Sequence, residues 1–267
     1  MKTWLMLAAG VLVAGTAWAA ADKNAKTGKI KVTSPGVVIR LKTPEDRTYG
    51  GAKVMKSQGE YDGIPLPVDK EVPMPEGKYE INSITATQQA KDDNGAPVVW
   101  SMTAEKDLGK LKDVTVKADE TVVLEAGGPF KVKVDLKFLP ENNNDPHVKV
   151  RTEHPGQSVL IKVRYVGKGG EEYVPRLWKG RTLSATNPQV RIWDEAGNMI
   201  HSVAYDLALD KPNPSYLNPR PGFGGASWRR PPNLQGKFRI EVVPYAGPFE
   251  FEKQPEDDWK EFPDPKK

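Results

Sequence analysis

The sequence predicts an all-β protein of two tandem β-sandwich domains. Three observations lead there. Short β-branched runs recur along the chain between clusters of Gly, Pro, Asn and Asp, the spacing of sandwich strands and turns. No apolar stripe of helical period begins at a cap; Ala104–Lys112 has room for one turn of helix, but Gly109 interrupts it. Finally, Phe130, Val132, Val134, Leu136 and Phe138 alternate with Lys131, Lys133, Asp135 and Lys137, the two-residue period of a strand with one buried and one wet face. The break Gly127-Gly128-Pro129 before that strand reads as the seam between the domains.

The chain opens MKTWLMLAAGVLVAGTAWAA, with a lysine near its start, an apolar run from Trp4 to Val13 and small residues at Ala17 and Ala19. That is the layout of a cleavable secretory signal over residues 1–20, cut after Ala19 or, next in order, after Ala20 or Ala21. The run is shorter than the ~20 apolar residues a membrane-spanning helix needs. No second run follows, so no membrane span is expected after cleavage, and the expected location is secreted or periplasmic. The chain has no cysteine, which excludes both lipid attachment at a terminal cysteine and disulfides. Stability then rests on buried apolar area, which a mature chain of about 250 residues supplies in two domains of about 100–130 residues each. Cysteine-free export points to a bacterial envelope. A formal charge of +4 on a chain that is 28% charged is a small excess; together with export it makes nucleic acid an unexpected partner, since such binding uses a clustered basic stripe.

Residues 21–28 form a polar, flexible lead-in and 29–127 the first sandwich. Strands are expected at Lys29–Val32, Val37–Leu41, Lys53–Lys56, Val68–Val72, Lys78–Thr85, Val98–Ala104, Val114–Val116 and Thr121–Glu125. Ser34-Pro35-Gly36, Gly50-Gly51, Pro73 to Gly77, Asp92 to Gly95 and Lys117–Glu120 supply the turns. The run Pro75-Glu76-Gly77-Lys78-Tyr79-Glu80-Ile81, with Val114–Leu124 some 30 residues on, resembles the closing half of prealbumin-like modules, among them the carboxypeptidase-regulatory-like repeats of secreted bacterial proteins. The resemblance covers about 50 residues and implies a turn into a central strand and a hairpin that ends the domain. Ala118-Asp119 stands where those families often carry glycine. Some such repeats form a lysine–asparagine cross-link beside a buried acid. Lys29 or Lys31 offers the amine, but Thr121–Glu125 contains no asparagine, so no cross-link is expected.

The second sandwich, 130–252, is expected to be immunoglobulin-like. A polar loop, Pro140–Pro146, follows its first strand. Further strands read as Val148–Arg151, Val159–Tyr165, Glu172–Val174, Gln189–Asp194, Met199–Tyr205 and Lys237–Tyr245. Glu195-Ala196-Gly197-Asn198 joins the fourth and fifth of these as a hairpin, with Gly197 at positive φ. The last strand is expected to lie inside its sheet. The hairpin pattern and the run Gly236–Val242 also resemble uncharacterised two-domain envelope proteins of bacteria, a likeness that implies no activity. Residues 253–267, acidic, then basic, and broken by prolines, are expected to be disordered, with Trp259 and Phe262 available to dock on a partner or on the protein itself.

No constellation demands a chemistry. His147, His154 and His201 have no metal-ligand spacing. Cysteine nucleophiles are absent, and no Gly-x-Ser-x-Gly elbow occurs. Asn142–Asp145 lacks the spaced acids of a calcium loop. No catalytic residue, metal or cofactor is therefore assigned. The candidate ligand residues are Tyr216, Trp228, Arg229 and Arg230, in the Pro- and Gly-rich segment Asp210–Gly236, where aromatic and guanidinium groups can stack on sugars or hold anions. The same prolines can simply stiffen a crossover, with Trp228 filling the domain edge. Lys131, Lys133 and Lys137 share a strand face with candidate neighbours Lys149, Arg151, Lys162 and Arg164. Such a face is either the solvated side of a sandwich or an attractor of anionic polymer. The expected function is a non-enzymatic binding or scaffold protein of the envelope, its partner an envelope protein or glycan. A carbohydrate module using the Asp210–Gly236 loop and a hydrolase with carboxylates that converge only in the fold are the alternatives.

Overall fold

The computed structural model describes residues 26–42, 64–92, 94–138, 158–180, 182–183, 187–205, 226–229, 231, 234, 236–244 and 247–262. They are all-β, with one 3-10 turn at Gly109–Leu111 and no α-helix among the described residues. No helix among them is long and apolar enough to cross a membrane. The chain divides into two compact units: residues up to Gly128 with Gly167–Tyr173, and Pro129–Val166 with Val174 onward. The second unit is thus interrupted by Gly167–Tyr173.

The first unit holds β1 (Thr27–Val32), β2 (Val37–Leu41), β3 (Ile64–Leu66), β4 (Glu71–Pro75), β5 (Gly77–Lys91), β6 (Pro97–Ala104), β7 (Asp113–Val116) and β8 (Thr121–Leu124). β1 lies between β4, antiparallel, and β8, parallel. In a second sheet, β5 is flanked by β2 and β6, and β2 by β3, all antiparallel. The first residues of β5 pair with β7 instead. Ile30 and Val32 of β1, Ile39 and Leu41 of β2, and Met102 and Ala104 of β6 are buried at every second position, as half-buried strands require. β5 changes phase: Ile81 and Ser83 are buried, then Ile84 and Ala86. A bulge opposite Arg40 and Leu41 makes the slip, because one extra residue swaps which side chains face inward.

Three expectations for this unit change. Pro73 and Pro75 lie within β4 rather than in a turn. β4 is at the edge of its three-stranded sheet, where a missing N–H interrupts no inner ladder. β7 and β8 are joined at Lys117–Glu120 as expected, but they do not form a hairpin: β7 pairs with β5 and β8 with β1. The strand expected at Val68–Val72 begins later and runs Glu71–Pro75. The strand expected at Lys53–Lys56 lies outside the described residues.

The second unit holds β9 (Lys131–Phe138) and β10 (Ser158–Val166). After β11 (Glu172–Tyr173), which belongs to the first unit, it continues with β12 (Trp178–Lys179), β13 (Thr182–Leu183), β14 (Gln189–Asp194), β15 (Met199–Ala204), β16 (Ala226–Arg229), β17 (Phe238–Val243) and β18 (Trp259–Lys260). β10 pairs antiparallel with β9 and β16. A second sheet runs β15-β14-β17-β18, so β17 is interior, as its alternation suggested. The β14–β15 hairpin forms with Gly197 at φ +83, and Asp194 accepts the backbone N–H of Asn198 at 2.7 Å and its amide at 3.0 Å.

Aromatic rings fill this core in two groups. Phe130 meets Phe249 and Phe251, and Tyr165 lies 4.6 Å from Phe251. Phe138, Trp228, Phe238 and Phe262 form the other group, with centroids 5.0–5.5 Å apart. Pairs in these tilted and edge-on geometries add about 0.5–1.5 kcal/mol each beyond their burial. Phe262 and β18 correct the expectation of a disordered tail: through residue 262 the chain is docked by a strand pair and a ring. Low hydrophobicity over 253–267 outweighed the two aromatic residues that do this, although the sequence shows both as available to dock.

Candidate functional site

Two clusters of ionisable groups stand out, and they differ in access. The first is built by the turn Gly167-Lys168-Gly169-Gly170-Glu171, which belongs to the first unit with β11. Backbone bonds fix it there: Lys168 N–H to Gly127 O at 3.0 Å, Lys110 N–H to Gly169 O at 3.0 Å and Glu172 N–H to Asp107 O at 2.8 Å. Glu171 has no exposed surface. Its Oε1 accepts the Gly127 N–H at 2.5 Å and the Tyr173 hydroxyl at 3.0 Å. Oε2 has no hydrogen-bond partner among the described residues. Burial raises the Glu171 carboxyl above its ordinary range, and the N–H groups of Gly127, Glu171 and Gly169 with the Tyr173 hydroxyl pull it part of the way back. Burial and the neighbouring carboxylate also raise the Tyr173 phenol.

A Cβ at these glycines would collide with the cluster. A Cβ on Gly167 would lie 2.1 Å from Glu171 Oε1, and one on Gly169 would lie 2.4 Å from Leu111 Cδ1. Gly109, at φ +56, lets the 3-10 turn approach: its Cβ would lie 2.4 Å from the carbonyl carbon of Gly170. The result is a carboxyl group sealed against solvent and against substrate. Its chemistry is that of a clasp that holds the Gly127 backbone within the first unit.

The second cluster is open. Antiparallel register sets Lys133 of β9 opposite Arg164 of β10, Asp135 opposite Lys162 and Lys137 opposite Leu160. Residues directly opposite share a sheet face, so Lys131, Lys133, Lys137, Lys162 and Arg164 occupy one side, with Asp135 between them. The three β9 lysines are exposed, and Lys162 and Arg164 half-buried. Glu252 reaches Lys131 at 3.8 Å. Like charges facing each other, as Lys133 and Arg164 do, work against the pairing. Lys149 and Arg151 lie outside the described residues.

Trp228, the aromatic centre of the expected ligand segment, is 4% exposed. Its indole packs on Phe238 and Phe262 at 5.1 and 5.5 Å. It stands on β16 opposite Val159, with Arg229 opposite Ser158, so this part of the segment is a strand and not a loop. Tyr216 and Arg230 lie outside the described residues, as do His147, His154 and Asn142–Asp145. His201 is half-buried on β15, opposite Ile192. No group of three or more His, Asp or Glu among the described residues has metal-binding geometry. Lys29 is exposed and bridges the exposed Glu71 at 2.7 Å.

Sequence reasoning missed Glu171. Three glycines within four residues ahead of two acids and a tyrosine were the available signal, but nothing in the pattern separates Glu171 from Glu172. Comparison of the chain with protein-family models, with curated proteins and with solved structures found no match.

Proposed function

We propose that this is an exported, non-enzymatic binding or scaffold protein of a bacterial envelope, made of two tandem β-sandwich domains. Its β9–β10 face meets an anionic envelope polymer. The observation that carries this reading is the register of β9 against β10, which gathers five cations on one face, with Asp135 and Glu252 among their acidic neighbours. Such a field attracts polyanions over roughly a Debye length, about 8 Å at physiological salt. The leader at residues 1–20 is the support for export. The prealbumin-like reading of the first unit draws on the chain passing from one sheet to the other between β1 and β2, β3 and β4, β4 and β5, and β7 and β8. An immunoglobulin-like second unit draws on the two sheets of β9, β10 and β16 and of β14, β15, β17 and β18. Glu171 gives the hydrolase alternative no support, since no substrate can reach a carboxyl with no exposed surface.

The test uses the signal-free chain and immobilised polyphosphate and polygalacturonate as probes. Binding should weaken as salt rises, and the double variant Lys133→Glu, Lys137→Glu should lose about tenfold or more at low salt, with a flatter salt dependence. Undiminished binding by the charge-reversed protein would overturn the proposal.

A further inference from the structure

The C-terminal segment lies on the second unit as a bound peptide lies on its receptor. Glu252 N–H bonds Phe130 O at 2.8 Å, and from there the chain follows the edge of β17. Gln254 uses both halves of its amide on Val242, accepting its N–H at 3.1 Å and donating to its carbonyl. Pro255 has no N–H to give, and Glu256, Asp257 and Asp258 are exposed. Trp259 and Lys260 then pair antiparallel with Arg239 and Phe238. The six-residue β17 is therefore met on this edge by a side-chain amide at one end and a two-residue strand at the other.

Side chains give the contact its specificity. The Arg239 guanidinium lies 5.9 Å from the Trp259 ring. Lys237 bridges Glu261 at 3.2 Å. Phe262 enters a pocket made by Phe238, Phe138 and Trp228, at 5.0, 5.4 and 5.5 Å. Cations therefore meet the tryptophan and the acid, and three rings meet the phenylalanine.

We propose that this edge and pocket form a strand-addition site for an extended peptide of another protein carrying an aromatic-x-acid-aromatic run, and that Trp259–Phe262 is the tethered occupant such a peptide displaces. Main-chain pairing with β17 supplies the general affinity and the pockets the choice of sequence, the usual division in strand addition. The resident segment is displaceable because its main-chain pairing with β17 is only two residues long and its ion pair with Lys237 is exposed and contributes little in water, which leaves the Phe262 ring and the Arg239–Trp259 contact as the main hold that a competing peptide must match. The acidic run Glu256–Asp258 and Pro255 make it a linker that can swing clear without unfolding β17.

The experiment uses the full-length signal-free protein and a fluorescently labelled peptide of residues 254–264. In the wild-type protein the tether presents its own segment at an effective concentration on the order of millimolar, so the added peptide binds weakly. Phe262→Ala leaves the pocket open, and binding should tighten by about tenfold or more, while a peptide carrying the same Phe262→Ala change binds neither protein. Equal, weak binding to both proteins, with the near-ultraviolet spectrum of the variant unchanged, would overturn the proposal. If the variant does not fold, the wild type decides: millimolar peptide should accelerate hydrogen exchange at Lys260 of the protein, and no acceleration counts against the site. Wild-type dimers that form with concentration and dissolve on adding peptide would overturn the choice of partner, because the occupant would then be a second copy of the chain.

Discussion

Around Glu171 the first unit closes on a carboxyl group, a tyrosine hydroxyl and glycines packed backbone to backbone, whereas the second unit closes on rings at the two ends of β9. The two closures respond to different perturbations. Backbone contact near 3 Å cannot be relaxed by rotating a side chain, so the first has almost no tolerance for added volume. The rings of the second leave a void when one is removed, and neighbours such as Phe262, held at the chain's end, can move partly into it. A buried acid also makes the first closure sensitive to pH, while phenylalanine and tryptophan do not titrate.

The largest effect should come from Gly109→Ala. The new Cβ would meet the Gly170 carbonyl carbon at 2.4 Å while the backbone stays at φ +56. Left-handed strain alone costs about 1–2 kcal/mol for an L-residue, and a clash with backbone that no rotamer relieves brings the total above about 4–5 kcal/mol. Hydrogen exchange should rise at Lys110 and Glu172, whose N–H groups hold the turn, while the β14–β15 amides stay protected. Protection unchanged at Lys110 would remove the claim that this approach is tight.

Next comes Trp228→Ala, which probes the other closure. Truncating a buried tryptophan costs about 3–5 kcal/mol, at the lower end where the site can collapse. The loss should appear in the second unit, as faster exchange in β10 and β17 and a lower unfolding midpoint. A variant as stable as the wild type would show that Trp228 does not fill the core and would return it to the ligand residues.

Much of this contrast could be read from the chain, and the unread part has physical causes. The alternation of β9, the β14–β15 hairpin at Gly197 and the interior position of β17 all follow from local period and turn chemistry. The ring pocket did not, since Trp228 sits among prolines and glycines and its partner Phe238 lies beyond the turn that follows. Both aromatic residues of the tail were noted, but composition averaged over 253–267 outweighed them. Glu171 was out of reach for a different reason. A glutamate is exposed by default, and only the tertiary approach of Gly127, Tyr173 and the Gly109 turn makes this one buried. The same limit applied to β4, where edge position, invisible locally, decides whether a proline ends a strand or sits within it.

The smallest and most discriminating effect concerns Glu171 itself. Its folded carboxyl lies above the ordinary value of 4.5 because burial penalises the charge. Below that value the group is protonated whether the chain is folded or not, and its contribution to stability is fully present. As pH rises through the folded value, the folded state loses a proton it held more tightly than the unfolded state, so stability falls. Asp194 in the second unit has the opposite sign: bonds from Asn198 hold its carboxyl low, so its contribution is present above the ordinary aspartate range and is lost on acidification. Glu71, lowered by the Lys29 bridge, acts in the same sense as Asp194, but it is exposed and screened. Glu171→Gln should therefore leave the first unit nearly as stable as the wild type near pH 4, and relatively more stable above neutrality, where only the wild type must hold a buried charge. The amide keeps a carbonyl to accept from Gly127 and Tyr173, so the gain is expected at the scale of one hydrogen bond, about 1 kcal/mol. Denaturant melts at several pH values, followed through first-unit amides, measure it directly. If the stabilities of the two proteins change in parallel from pH 4 to pH 8, the Glu171 carboxyl holds its proton equally well folded and unfolded, burial does not shift it, and the two closures differ in shape alone.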